Sequence, residues 1–363
     1  MYTVATPTGA SVDDGMATSR SIHRRTGPTF YLATRLFPER MRRDTYVLYA
    51  FFRLADEVVD DPERSDTGRQ YRELARIEAG ALGREPTDDP VVAAFCALRE
   101  RHGIPDEEVE TFIDAMRMDL ETDRYVSHEA LASYLRGSAV AVGNMMLAVM
   151  DPADASAARP HAKALAEAFQ LTNFLRDVRE DARDYGRVYI PQETLSRFDV
   201  SDEQIRSLEF SRGVADAVRS ELESTEWLYV EGVAGIRYLP REYQFAVVAA
   251  SVMYADHHRL IRDADFDVVS RRPTLSRSRR AWVLARTWWH WRRTGDPVRT
   301  FLASSSIATE PSSPIATEPS SPIDTESSSS IDTGPSSSID SEPKMTEGHR
   351  QHSGCIVTRL FRA

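Results

Sequence analysis

From about Phe30 to Phe301 the apolar residues of this chain recur at spacings of three and four, and no convincing alternation of apolar and polar residues interrupts them. A period near 3.6 lines apolar side chains along one stripe of a helix, whereas a half-buried strand needs a period of two. The pattern therefore predicts an all-α fold. Pro and Gly punctuate it at Gly83–Pro90, Gly103–Pro105, Pro152 and Gly186–Pro191, where helices should end. We read residues 21–301 as a single domain of many helices. Past Phe301 the texture changes: Ile307, Ile315, Ile323, Ile331 and Ile339 recur every eight residues among Ser, Pro, Thr, Asp and Glu. One isoleucine in eight cannot build a core, so residues 302–363 are expected to form a low-complexity acidic tail, mostly disordered. Residues 1–20, rich in Thr, Ser, Gly and Asp, read as a disordered arm.

Composition narrows the function classes. The net charge of −11 argues against a nucleic-acid partner. Two cysteines, Cys96 and Cys355, exclude a disulfide framework. The longest apolar stretch, Ala139–Met150, is too short to span a bilayer, and the N-terminus lacks a signal-peptide layout. A cytoplasmic location, or a peripheral one on the inner face of the cell membrane, is expected. All but Lys163 and Lys344 of the 45 basic residues are arginine, which with the acidic surplus fits a GC-rich, salt-adapted host.

Within this helical text, Tyr49–Asp61 reads YAFFRLADEVVDD. Tyr49, Arg53, Asp56 and Asp60 follow one another at offsets of four, three and four, which places them on one helix face. Two carboxylates one turn apart, about 6 Å along the axis, suit hard oxygen ligation of Mg²⁺ bridging a diphosphate. Arg53 offers a planar fork for phosphate oxygens. The segment alone fits a solvated acidic face equally well.

Gln170–Pro191, QLTNFLRDVREDARDYGRVYIP, repeats the arrangement. Gln170, Asn173, Asp177 and Asp181 share a face, with Arg176 beside them and Phe174, Leu175 and Val178 left to pack. Asn173 adds an oxygen ligand without charge, giving a second metal-binding face. Two such faces in one all-α domain, each with an arginine, point to metal-assisted diphosphate chemistry. Arg179, Glu180 and Arg183 read as solvated. A third stretch, Tyr134–Gly143 (YLRGSAVAVG), is rich in small residues that permit close helix packing or leave room for a hydrocarbon chain; packing is the favoured reading. Tyr134 at its start carries a hydroxyl that can face a cavity.

At these segments, together with PTFYLATRLFPERMRRDTYVLYAFFRLADEVVDD and DFDVVSRRP, the chain resembles the squalene and phytoene synthases over about residues 25–293. Its motifs look most like the phytoene synthases of halophilic archaea. The resemblance implies an isoprenoid-synthase helical bundle with a central apolar cavity. It implies head-to-head condensation of two geranylgeranyl diphosphates through prephytoene diphosphate to phytoene, in carotenoid biosynthesis. Mg²⁺, with Mn²⁺ as an alternative, would be held by Asp56, Asp60, Asn173, Asp177 and Asp181, and no NADPH is expected. Tyr49, Arg53, Tyr134 and Arg176 match catalytic positions. Thr29, Arg53, Gln170, Arg176, Tyr254 and Arg272 match diphosphate-binding ones. Squalene or dehydrosqualene synthesis from farnesyl diphosphate is the nearest rival, and a non-catalytic membrane-associated assembly factor a remoter one.

His257, His258 and Arg262 depart from the family pattern, which has apolar and acidic residues there. They are either surface changes or alterations of the pocket's far wall. Gly27–Pro28 departs too, and softens the match at Thr29. His23 precedes the matched region and is expected to take no part. Between Arg271 and Arg299, nine arginines interleave with Trp282, Trp288, Trp289 and Trp291. That mixture fits peripheral membrane contact or, in the favoured reading, a terminal helix packing its aromatics on the core.

Overall fold

Caps and breakers in the sequence mark out the helices. Asp89 accepts hydrogen bonds from the Val91 and Val92 amides with Pro90 in the first turn, and Ser127, Asp154, Ser211 and Ser276 cap other helix starts in the same way. Gly103 and Gly186 end helices at φ of 61° and 63°, where a side chain would be strained. The computed structural model describes residues 12–26, 28–60 and 66–307. The α-helices are α1 (Val12–Thr26), α2 (Pro28–Thr34), α3 (Glu39–Asp60), α4 (Thr67–Ala81), α5 (Pro90–His102), α6 (Asp106–Met118), α7 (His128–Leu135), α8 (Val142–Met150), α9 (Ala155–Glu180), α10 (Gln192–Arg197), α11 (Asp202–Arg206), α12 (Arg212–Ala234), α13 (Arg241–Asp263), α14 (Arg277–Thr294) and α15 (Pro297–Ser304). Among the described residues the only strand-like pairing is an isolated bridge between Arg124 and Val188. The all-α expectation holds.

Two apolar clusters organise the packing. The larger runs behind α3, where Phe51 stacks on Phe95 with ring centroids 3.7 Å apart and Phe52 meets Phe112 edge-on at 5.1 Å. The smaller gathers Leu175, Val178, Ile190, Val218, Ile261 and Val268 behind the C-terminal half of α9. With its apolar back fixed there, α9 must turn Asn173 and Asp177 the other way. Both acidic motifs are thus anchored from behind by hydrophobic burial, at about 25 cal/mol per Å² of apolar surface.

The helical ladder changes register at two motifs. Arg136–Ala141 and Asp181–Tyr185 form π-helical turns, which insert a residue and concentrate at functional sites. The first follows Tyr134. The second begins at Asp181, the last predicted metal ligand.

Both expected boundaries shift. Residues 12–20, assigned to a disordered arm, belong to α1, which packs on α3 and α5; Gly15 and Ser19 are buried there. A low apolar content hid this helix, because what it buries is small side chains and one histidine. At the other end α15 runs to Ser304 and Ile307 is buried, so the folded part outlasts the expected limit of 301. Residues 1–11 and 308–363 lie outside the described residues.

Candidate active site

Helix α3 presents Tyr49, Arg53 and Asp56 on one face, and all three are buried. Arg53 donates to the Asp56 carboxylate at 2.8 Å and to Glu57 at 2.9 Å. Glu57 is 47% exposed, so one end of this cluster meets solvent. Ala55, Val58 and Val59 are buried behind them. Asp60 is the last residue of α3, and Thr29 lies within α2; their side chains fall outside the described residues. The Thr26 hydroxyl donates to the Ile22 carbonyl at 2.8 Å and sits 2.8 Å from the Tyr49 hydroxyl. Having spent its proton, Thr26 accepts from Tyr49.

Helix α9 and the π-helical turn that continues it carry the second cluster, and every member is buried: Gln170, Asn173, Arg176, Asp177 and Asp181. Arg176 forks onto Asp177 with bonds of 2.8 and 2.6 Å. Arg272, from the turn before α14, reaches the same carboxylate at 2.8 Å and Glu180 at 3.1 Å. Burial lowers the pKa of the Arg176 guanidinium, but the Asp177 carboxylate more than compensates and leaves it raised. Arg179 donates to the Val269 carbonyl at 2.7 Å. Arg179 and Glu180, expected to be merely solvated, therefore tie α9 to the Arg272 turn.

Tyr254 on α13 joins the two clusters. Its ring stacks on Phe169 at 4.6 Å. Burial drives its phenol pKa far up, with Arg176, Tyr49 and Asp177 among the charges acting on it. Residues of α3, α9 and α13 thus converge on one spot. The amides of Gln170 and Asn173, the Tyr254 hydroxyl and Nη1 of Arg176 are buried there with no hydrogen-bond partner among the described residues. Buried polar groups are nearly always paired, so this set fits a polar ligand. Among the described residues no three His, Cys, Asp or Glu side chains gather closely enough to hold a metal ion by themselves. Asp56 and Asp177 instead have guanidinium partners. Their hard oxygens, with the unpaired Asn173 amide, are nonetheless the donor set that Mg²⁺ takes when phosphate oxygens complete its shell.

Tyr134 belongs to a separate aromatic layer. Its hydroxyl donates to Asp119 at 2.9 Å, and its ring joins an aromatic layer with Tyr125, Phe174 and Tyr189, in which Phe174 and Tyr189 stack at 4.1 Å. Arg187 donates to the Asp119 carbonyl at 2.7 Å. Sequence reasoning missed Asp119; its partner Arg187 is marked in the sequence only by its place between the breakers Gly186 and Pro191.

An apolar cavity adjoins this spot, lined by Phe30, Val142, Met146, Leu165, Phe169 and Ala250 among others. The small-residue stretch serves both of its alternative readings. A Cβ on Gly137 would collide with the Thr111 carbonyl, while Ala139, Val142 and Gly143 line the cavity, and a Cβ on Gly143 would stand 2.9 Å from that of Ala166.

Of the departures noted in the sequence, His257 and His258 are buried and Arg262 is partly exposed. His258 bridges Thr172 at 2.9 Å and Glu226 at 3.1 Å, and Glu226 also accepts from Arg262 at 2.7 Å. His257 is held neutral by burial and by Arg176, and its Nδ1 faces the Tyr254 carbonyl at 3.1 Å. His257 and His258 are thus not surface changes, and His258 with Glu226 and Arg262 braces α9 through Thr172. His23, expected to be uninvolved, stacks on Tyr49 with centroids 4.0 Å apart. The tryptophans of α14 also depart from expectation. Only Trp291 packs on the core, while Trp282, Trp288 and Trp289 are 48%, 53% and 45% exposed.

A sequence model of the squalene/phytoene synthase family matches residues 23–279. The chain belongs to that family. Among its relatives, the 15-cis-phytoene synthase of Synechococcus elongatus is 33% identical over 283 residues, covering 72% of this chain and 89% of the relative. Phytoene synthase 2, chloroplastic, of Solanum lycopersicum is 32% identical, covering 70% and 84%. A solved dehydrosqualene synthase with ligand superposes with a TM-score of 0.69 at 24% identity, covering 78% of this chain and 98% of that one. The last likeness carries the squalene/phytoene synthase fold, as expected from the helical bundle and its cavity.

Proposed function

We propose that this enzyme is a phytoene synthase, a head-to-head prenyltransferase that condenses two geranylgeranyl diphosphates through prephytoene diphosphate to phytoene and releases diphosphate. The observation that carries the reading is that Tyr254, stacked on Phe169 of the apolar cavity wall, lies within electrostatic reach of Tyr49 on α3 and of Arg176 and Asp177 on α9, while the Gln170 and Asn173 amides are buried with no hydrogen-bond partner among the described residues. Mg²⁺ held by Asp56, Asp60, Asn173, Asp177 and Asp181 would neutralise the diphosphate and make it a competent leaving group. Arg53, Arg176 and Arg272 bind phosphate oxygens, for which Asp56 and Asp177 stand in here. Gln170 and Thr29 complete the diphosphate contacts. Tyr49, Phe30, Phe169 and Tyr254 offer π-faces to the allylic cation, and the dry cavity keeps water from quenching it.

The C20 chain length rests on the phytoene synthases among the relatives, and the reach of α9 is compatible with it. From Asp177 to His161, still in the cavity wall, sixteen residues rise about 24 Å. An extended C20 prenyl chain, at about 3.3–3.6 Å per three backbone bonds, reaches about 18 Å. The cavity wall therefore accommodates it, leaving the remainder for the diphosphate end.

We place the lipid substrate's supply at a membrane surface. No described helix is long and apolar enough to cross one. Instead α14 sets Trp282, Arg286, Trp289 and Arg293 on one stripe, with Arg286 5.2 Å over Trp282 and Arg293 3.8 Å over Trp289. Exposed tryptophan with flanking arginine suits a peripheral bilayer contact.

The test is incubation of purified protein with Mg²⁺ and labelled C20 or C15 diphosphate, with and without NADPH, followed by product identification. Phytoene from the C20 substrate, needing no NADPH, is expected. A C30 product made only from farnesyl diphosphate would overturn the chain-length reading, and no diphosphate release from either substrate would overturn the reaction.

A further inference from the structure

Helix α3 extends its functional stripe beyond Tyr49 in the N-terminal direction. Counting back from Arg53, the offsets four, three and four lead through Tyr49 and Tyr46 to Arg42, about 16 Å away along the axis. Arg42 lines a separate pocket of about 320 Å³ with Arg20 of α1, Arg35 after α2, Arg43, Tyr31 and Tyr46; Glu39 is its one acidic neighbour. The His23 ring closes the inner side of this pocket from the catalytic cluster, meeting Tyr31 and Tyr46 edge-on at 5.6 and 5.4 Å while it stacks on Tyr49.

Four guanidinium groups around one pocket repel each other unless something negative joins them. Elsewhere this acidic chain, with a net charge of −11, surrounds its arginines with carboxylates: Arg84, Arg99, Arg117 and Arg206 are all paired. Among the described residues none of Arg20, Arg35, Arg42 and Arg43 lies within ion-pair distance of a carboxylate. Arg20 turns instead to the Tyr31 phenol, whose hydrogen bond with it lowers the phenol's pKa. Tyr31 and Tyr46 stack at 5.6 Å and both line the pocket. Planar forks with tyrosine hydroxyls are the equipment for binding a phosphate group by several hydrogen bonds at once.

We propose that the pocket formed by Arg20, Arg35, Arg42 and Arg43 is a second, metal-independent binding site for a phosphate-class anion, of the size of a diphosphate. The ligand is either a free diphosphate, such as the reaction releases, or the phosphate of a lipid headgroup. Glu39 is the single carboxylate lining the pocket and cannot by itself hold Mg²⁺, so the site needs no metal, unlike the cluster at Asp56 and Asp177.

That difference isolates it experimentally. Equilibrium dialysis of the full chain against radiolabelled inorganic diphosphate in EDTA measures the free-anion arm. Flotation with phosphatidylglycerol against phosphatidylcholine vesicles measures the headgroup arm. One equivalent of diphosphate is expected to bind, at least tenfold more weakly after Arg20→Gln with Arg42→Gln, and undiminished in Arg53→Gln. Capture by phosphatidylglycerol vesicles alone, lost in the same double variant, also supports the site and assigns the phosphate to lipid. The exposed pair Arg35→Gln with Arg43→Gln provides an independent variant should the first fail to give the wild-type circular dichroism. Absence of binding to both probes without metal overturns the proposal, as does diphosphate binding that survives both double variants or is lost in Arg53→Gln; where no diphosphate binds, vesicle capture that survives both double variants overturns it too, because α14 then carries the lipid contact. None of these results depends on which prenyl diphosphate the enzyme condenses.

Discussion

The two aspartate helices look alike in sequence and differ in how they are held. On α9 every motif side chain is buried, Asp177 is gripped by Arg176 and Arg272, and the helix back is fixed in its own apolar cluster. A further polar layer of Thr172, Tyr229, His258, Glu226 and Arg262 braces it. On α3, Arg53 shares itself between buried Asp56 and half-exposed Glu57, and Tyr49 is held by α1 through Thr26 and His23. One face is a platform set by the interior. The other is assembled from a helix and a covering segment. Equal motifs therefore need not carry equal structural weight, and substitution can separate the two kinds of contribution.

The largest separation is expected at the aspartates themselves. Asp177→Asn and Asp56→Asn should each reduce turnover by about a thousandfold or more, because in the proposed mechanism each removes charge that organises the diphosphate site. Their stabilities should diverge. Asp177→Asn leaves the fully buried Arg176 guanidinium uncompensated, a loss of about 3–5 kcal/mol. After Asp56→Asn, Arg53 still has Glu57, and about 1 kcal/mol is expected. Urea denaturation followed by circular dichroism measures both, and equal losses would erase the distinction between platform and assembled face.

The bracing layer offers the next test. Burial raises the pKa of Glu226, but hydrogen bonds from His258 and Arg262 outweigh it and leave the carboxyl below its ordinary value of 4.5. A depressed carboxylate pKa stabilises the fold above the unfolded value, and that stability is lost as pH falls through the folded value. Glu226→Ala should cost about 3 kcal/mol at pH 7, with the gap to wild type closing below about pH 4.5. Turnover should fall by a smaller factor than at Asp177, since the layer touches α9 from behind. A variant as stable as wild type at pH 7 would show that α9 needs no such brace.

The two faces were also unequally legible in the sequence. Helix periodicity carries the fold class, and spacing placed Tyr49, Arg53 and Asp56 together because local geometry alone decides an i, i+3 or i+4 neighbour. Arg272 and Tyr254 came only with the family resemblance, since no local rule brings residue 272 to residue 177. Nor could spacing show that α1 forms at all. Its helix has few large apolar residues, and His23 is buried because Phe30, Tyr31, Tyr46 and Tyr49 surround it, a long-range fact. The exposure of Trp282, Trp288 and Trp289 was hidden for the converse reason. Tryptophan in a helix reads as core unless the partner surface is known, and here the inward face of α14 is narrow, with only Val283 and Thr287 fully buried.

His23 gives the smallest effect and the one confined to the α3 side. Its two ring nitrogens are buried without a hydrogen-bond partner among the described residues, and burial lowers its pKa to about 3 from 6.5. The unfolded chain therefore binds a proton between about pH 6.5 and 3 that the native chain refuses, so this histidine withdraws stability as pH falls below 6.5 and has no such effect above it. At pH 5 the difference amounts to about 2 kcal/mol, taking 1.36 kcal/mol for each pH unit below 6.5. His23→Phe keeps a ring against Tyr49 and cannot be protonated. Between pH 8 and pH 5 the wild type should lose about 2 kcal/mol more than this variant, as measured by urea midpoints at the two pH values. Parallel pH profiles would mean that α1 lifts away from Tyr49 far more readily than its stacking implies, and α3 would then be left with a face open to solvent on both ends.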